Sequence, residues 1–423
     1  MHRRLSVNSR PSSDAPISGD SALLSAALPA SIEARPVPAA HPKRKHLDQI
    51  DLIRALTVIG VLSVHATYFS NALNSFGAGT AIMLLHYTRE AFLFITGFVL
   101  FYTYRSSPVK VLPFWRRRFQ LIGIPYVVWS TVYTAVHLDP SWAEIGLFVH
   151  TLLINLLLGR AWYHLYYLLI TMQVYLLFPL FQRFLVNSRP YHRWLLAASF
   201  SLEVVMMAVY QYHLPVSGFV GWLMRYRTIA FFTYQFYLLA GALAAIHLSS
   251  LNAWVARRGR QVATAWGVAL LAALAWYVIA QAGYGQPVIV ASAVFQPIMV
   301  PYCLFTILVL YALGVRWASA PRKGLASRLM NAVSRHSFGI YLIHPLMLYF
   351  ILNRFGTEIM SWWPGVRTLF LIAVTLVVSY GVVWAISTTP FSLYLLGRPQ
   401  DAKPPWADGE IVATRLPPRE VSG

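Results

Sequence analysis

Apolar windows of about twenty residues recur along this chain, at 50–70, 81–103, 119–137, 162–182, 194–212, 229–247, 262–280, 294–314, 337–353 and 367–386. A helix needs about 20 mainly apolar residues to cross the hydrocarbon of a bilayer. The pattern therefore predicts ten crossings and an all-α integral membrane protein. An eleventh apolar run, 143–158, is shorter and is interrupted by Glu144, His150 and Asn155. It is expected to form a short interfacial or re-entrant helix.

Composition agrees, with 57% of residues hydrophobic and 11% charged, where a soluble domain carries about a quarter charged. Charge adds an orientation. If the N-terminus is cytoplasmic and the ten windows alternate, 27 of the 34 Lys and Arg residues fall in cytoplasmic segments, Arg54 and Arg89 lie within windows, and only Arg160, Arg225, Arg227, Arg354 and Arg367 fall outside. This obeys the positive-inside rule and predicts that both termini are cytoplasmic. A crossing at 143–158 would move most later basic loops outside. The net charge of +20 is thus mainly topology, with attraction to anionic inner-leaflet lipids as its consequence. No nucleic-acid partner is expected, because the basic residues are scattered among short loops rather than gathered on one soluble face.

The ends differ from the middle. Residues 1–48 are rich in Ser, Ala, Pro and Arg and are expected to be a disordered cytoplasmic tail. Residues 398–423 form a second, Pro-rich tail, which leaves 49–397 as the transmembrane domain. The apolar stretch "ALLSAALPA" at 22–30 is too short and too poorly flanked for a signal peptide. The lone Cys303 excludes an intramolecular disulfide and a cysteine metal cluster, and no metal site is expected. No internal repeat of the kind found in two-half transporters is visible.

Polar groups inside these windows are the candidate chemistry. Arg54 and His65 lie eleven residues apart in the first window, so about three helical turns place them on one face and roughly 16 Å apart along the axis. Both are costly against lipid and are expected to face the protein interior or a water-filled cavity. In "HYTREAFLFITGFVL" at 86–100, Arg89 and Glu90 sit near mid-membrane. Sequence neighbours point about 100° apart on a helix, so each is expected to find its partner on another helix. A carboxylate such as Glu90 opposite a histidine can fix the imidazole tautomer. His164 opens the crossing "AWYHLYYLLI" at a depth close to that of His65, among aromatic-belt residues. His344 sits beside Pro345, whose ring frees a backbone carbonyl.

Five segments, in order, resemble the membrane-bound acyltransferase 3 family. "RALTVIGVLSVH" at 54–65 carries an Arg and His motif, and "FLFITGF" at 92–98 resembles a Phe-x-x-x-Ser-Gly-Phe stretch with Thr96 for Ser. "FWRRRFQLIGIPYVVWS" at 114–130, "WYHLYYLLITMQVYLLFPLF" at 162–181 and "FGIYLIHPL" at 338–346 resemble later crossings. Many members have Arg-x-x-Arg at the start of the third helix. Alignment on Pro125 places Arg118 at the first position but Leu121 at the second.

The resemblance implies an enzyme of the multi-pass plasma membrane that O-acylates sugars or related acceptors. The donor would be cytoplasmic acyl-CoA, commonly acetyl-CoA, with no permanently bound cofactor. Its phosphates would meet Arg116, Arg117, Arg118 and Arg54, since guanidinium groups bind phosphate in a fork. His65 would be the general base on an acceptor hydroxyl of a glycan, glycoside or lipid-linked sugar, oriented by Glu90 or His164. A covalent acyl-histidine route stays open beside it. Catalytic candidates are therefore His65, Glu90 and Arg54, and substrate-binding candidates are Arg89, His164, Arg116, Arg117, Arg118, Thr96 and His344. The short outer segments place the acceptor against 143–158 and the loop 213–228. A transporter using the same polar faces is the alternative.

Overall fold

A computed structural model of the chain describes residues 46–72, 74–105, 107–138, 145–320 and 324–401. Nearly all of both expected tails lie outside the described residues. Fifteen α-helices follow one another in the membrane region: α1 (Asp48–Ser70), α2 (Phe76–Leu85), α3 (Tyr87–Tyr104), α4 (Val111–His137), α5 (Ile145–Leu158), α6 (Tyr166–Asn187), α7 (His192–Gln211), α8 (Gly218–Arg225), α9 (Gln235–Ile246), α10 (Leu248–Val278), α11 (Val288–Ala291), α12 (Met299–Ser319), α13 (Leu325–Met360), α14 (Pro364–Ser387) and α15 (Ser392–Leu396). Among the described residues no strand forms, and nine helical stretches are long and apolar enough to span a membrane. The protein is an all-α, multi-pass membrane protein.

The tenth predicted window, 229–247, forms a shorter apolar helix, Phe231–Ile246. The 143–158 run forms α5, whose 14 residues are too few to cross. It lies beside α4, with Asn155 Nδ2 donating to Thr134 Oγ1 at 2.9 Å and Tyr126 Oη donating to the Leu156 carbonyl at 2.6 Å. The second window is not one helix, since the chain breaks at His86 between α2 and α3. The fourth begins with a turn at 162–165 before α6.

α1 is central. It packs against α2, α3, α12, α13 and α14, and Ile53, Ala55, Val58, Leu62 and Ala66 are all buried. Three of its hydroxyls need no outside partner, because Thr57, Ser63 and Thr67 donate to carbonyls four residues earlier. α3 and α9 approach closely at Gly97 and Gly241, where an added Cβ would strike the Leu238 carbonyl and the Phe94 carbonyl respectively. Large apolar side chains stay exposed on α5, α10 and α14, among them Leu157, Leu271 and Leu369. Such a girdle is what a lipid-facing surface requires.

The two described ends of the membrane domain meet at one end of the bundle. Ser334 Oγ on α13 donates to Asp51 Oδ1 at 3.0 Å, and Asp401 N donates to the Ser387 carbonyl at 2.8 Å. Residues 398–401, grouped with the tail by composition, are held there by Arg398 Nη1 on the Arg335 carbonyl at 3.0 Å. α15 clasps α4: Trp129 Nε1 donates to the Leu395 carbonyl at 2.8 Å, and Gly397, at φ 61°, lets the chain turn against the Leu121 backbone.

Candidate functional site

Three cavities lie in series along the bundle and share walls. The first, about 230 Å³, is lined by Arg54, Thr96, Arg118 and Ser337 among apolar groups, near the end where Asp51 meets Ser334. The second, about 160 Å³, is lined by His65, His86, Arg89 and His164. Phe92, Tyr167 and Tyr341 belong to both. The third, about 680 Å³, holds His137, Arg160, Trp162, Arg225, Tyr226 and Tyr349, at the far end of the bundle. Tyr163 and Tyr166 line it together with the second cavity.

His65 stands in the middle. Its ring packs on Tyr163 at 4.3 Å and stacks on His344 at 5.4 Å between centroids. Among the described residues it makes no hydrogen bond, so its ring nitrogens are free for a substrate. His344 is fully buried behind it. Pro345 cannot donate to the Tyr341 carbonyl, and His344 Nδ1 reaches that carbonyl at 2.8 Å and the Ile340 carbonyl at 3.1 Å. Two carbonyl acceptors fix the proton on Nδ1. Nε2 then carries the lone pair, and it has no partner. His344, expected to bind substrate, does not itself line any of the three cavities and stacks on His65, which lines the second.

His164 sits in the turn before α6, because Tyr341 Oη donates to its carbonyl at 2.5 Å. Its ring lies 5.5 Å from His344, and both ring nitrogens are buried without partners. Three imidazoles, His65, His344 and His164, therefore run in contact order. Thr96 Oγ1 donates to the Phe92 carbonyl at 2.8 Å and lies 3.1 Å from Tyr167 Oη, which anchors part of the wall between the first two cavities.

The expectation for Arg89 and Glu90 needs correction. Arg89 folds back on its neighbour, with Nη2 and Nε at 2.7 and 3.2 Å from Glu90 Oε1. The backbone vectors diverge, but the long guanidinium arm spans the difference. Rings from other elements complete its surroundings, since its Cζ lies 4.5 Å from the Tyr234 centroid and 4.7 Å from that of Phe295. Glu90 makes no hydrogen bond to His65 and lines none of the three cavities. The rings packed against His65 are those of His344 and Tyr163. A second buried carboxylate, Glu203 on α7, accepts from Gln235 Nε2 at 3.1 Å.

At the other end Arg54 approaches Asp51 at 3.4 Å and lines the first cavity with Arg118. The Arg118 guanidinium lies 5.4 Å from the Tyr175 ring, and its Nε is unpartnered. Arg116 and Arg117 are exposed and do not line that cavity.

A family model described as an acyltransferase domain, of the acyltransferase 3 type, matches residues 47–384, from the start of α1 into α14. The chain belongs to the acyltransferase 3 family. Comparisons with curated proteins and with solved structures give no match. In this acyltransferase the backbone carbonyl at the position of the second motif arginine, Leu121, faces the turn at Gly397, while Arg118 and Ile122 line the first cavity. Sequence reasoning also passes over Tyr163, Tyr167 and Tyr341, whose aromatic character is indistinguishable from belt residues. It passes over Glu203 as well, although a carboxylate in an apolar window is the same signal that marks Glu90.

Proposed function

We propose that this membrane acyltransferase moves a small acyl group, such as acetyl, from cytoplasmic acyl-CoA to a hydroxyl of a glycan or glycoside at the outer face of the plasma membrane. The observation that carries the reading is the series of three cavities with His65 in the middle one. Arg54 and Arg118 line the first cavity and are suited to the donor's phosphates. This end is the cytoplasmic one, since the basic segments gather there. Arg116 and Arg117, exposed at the rim, attract the anionic donor to it.

The first two cavities suit a short acyl chain and the thioester, while the third has the size of a pocket for a small glycoside. His65 takes the proton of the acceptor hydroxyl as its oxygen attacks the thioester carbonyl. The tetrahedral intermediate collapses, the carbon–sulfur bond breaks, and the imidazolium returns its proton to the departing thiolate. His344, fixed as the Nδ1–H tautomer, stacks on that ring and holds its orientation. The paired charges of Arg89 and Glu90 keep the second cavity polar. Phe92, Tyr167 and Tyr341 line the first and second cavities in common, and Tyr163 and Tyr166 the second and third. Membership of an acyltransferase family supports group transfer over the transport alternative.

Inside-out vesicles carrying wild-type or His65→Ala protein at matched levels test this, supplied with acyl-labelled acetyl-CoA. Label is expected in membrane or lumenal glycan with wild type and to fall by about 10²-fold or more in the variant. Equal transfer by both would remove His65 from the chemistry.

A further inference from the structure

Arg160, Arg225, Arg227, Arg354 and Arg367 lie in segments at the end of the bundle away from Asp51 and Ser334, and they are not equivalent. Arg227 donates to the Met224 carbonyl at 2.8 Å and to Tyr210 Oη. Arg367 donates to the Met360 carbonyl at 2.8 Å, and Arg354 lies over the Phe355 ring. Arg160 and Arg225 make no side-chain hydrogen bond or ion pair among the described residues, and these two line the third cavity.

Both residues are exposed, but the backbone at each is fixed by a turn. Gly159, at φ 64°, ends α5 in a left-handed turn, and Arg160 N closes it on the Asn155 carbonyl at 3.1 Å. Arg225 ends α8 and is followed by Tyr226, whose N donates to the Trp222 carbonyl at 3.1 Å. Among the described residues, no Asp or Glu lines the cavity. A chamber with aromatic walls and two guanidinium groups that pair with no described carboxylate is complementary to a flat, hydroxyl-bearing ligand that carries negative charge. A guanidinium pairs with carboxylate or phosphate through two parallel hydrogen bonds.

We infer that the third cavity selects an anionic acceptor, a glycoside bearing a carboxylate or phosphate group held by Arg160 and Arg225 while a hydroxyl elsewhere on it reaches His65. This rests on the acyltransferase reading for the hydroxyl's fate, but the anion preference is a property of the cavity itself. The same chemistry could come from a lipid phosphate, and the test separates the two.

The protein is purified into nanodiscs of phosphatidylcholine, and binding of methyl glucuronide and methyl glucoside is measured by equilibrium dialysis. Transfer of label from acetyl-CoA to each is followed in parallel. The glucuronide is expected to bind about tenfold or more tighter, the fold-change of one net charge-assisted hydrogen bond. The Arg160→Gln, Arg225→Gln double variant loses that preference, while Arg160→Lys with Arg225→Lys keeps part of it. Equal retention of the two sugars by wild type, at any level, overturns the inference, as does a preference that survives in the glutamine variant. Loss of phosphatidylglycerol from the glutamine variant in mixed-lipid nanodiscs, with no sugar preference in wild type, assigns the arginines to a headgroup and also overturns it. A glucuronide preference without label transfer to either sugar leaves the anion site standing and removes the acyltransfer reading instead.

Discussion

His344 separates two roles in one side chain. Nδ1 repairs the defect left by Pro345, and the ring face supports His65. An asparagine amide can replace the Nδ1 donor but not the ring. His344→Asn is therefore expected to keep the wild-type melting temperature while acyl transfer falls by about 10–100-fold. His344→Ala leaves the Tyr341 carbonyl without its partner and costs about 1–3 kcal/mol of stability as well. Wild-type activity in the asparagine variant, measured beside its thermal unfolding, would reduce His344 to a patch on a kinked helix. How far such roles can be read from sequence depends on whether they are local. His344 next to Pro345 and the helical spacing of Arg54 and His65 are local facts, so both are legible. The Arg89 and Glu90 pair is not, because Cα directions say little about a side chain with four rotatable bonds. Nor is the stacking of His65 on His344, which depends on how α1 meets α13.

Between helices, the tightest statement concerns α3 and α9. Gly97, the glycine of the "FLFITGF" stretch, faces the Leu238 carbonyl, and Gly241 faces the Phe94 carbonyl. Small residues are what allow membrane helices to approach through their backbones. Gly97→Ala and Gly241→Ala are each expected to lower stability by about 1–3 kcal/mol, the usual cost of overpacking. Thermal unfolding of the detergent-purified protein reads this directly, and an unchanged Tm in both would show that α3 and α9 have room to separate. The motif glycine thus has a packing reason independent of chemistry. Hydropathy located the crossings well, since every window became helix over most of its length. It missed the breaks at His86 and at 162–165, because each is a single histidine or a four-residue turn among apolar and aromatic neighbours. An average over twenty positions cannot register one histidine, or a turn built from Trp, Tyr, His and Leu.

Across the bundle, orientation is testable because the lone Cys303 is buried. Cysteines introduced at exposed Ser249 and Ser361 lie at opposite ends. In intact cells an impermeant maleimide is expected to label Ser361→Cys and to reach Ser249→Cys only after permeabilisation. The reverse pattern would invert the donor and acceptor ends assigned above. The arrangement of α1 among α12, α13 and α14 has a further consequence, for biosynthesis. Arg54 and His65 emerge from the ribosome with the first crossing, whereas His344, Tyr341 and Ser337 arrive with one of the last. Until α13 is inserted, the nascent chain holds a charged and a polar group in the membrane without the walls that enclose them. Early truncations should therefore be insertion-defective or quickly degraded rather than partly active, and the reaction chamber comes into existence only near the end of translation.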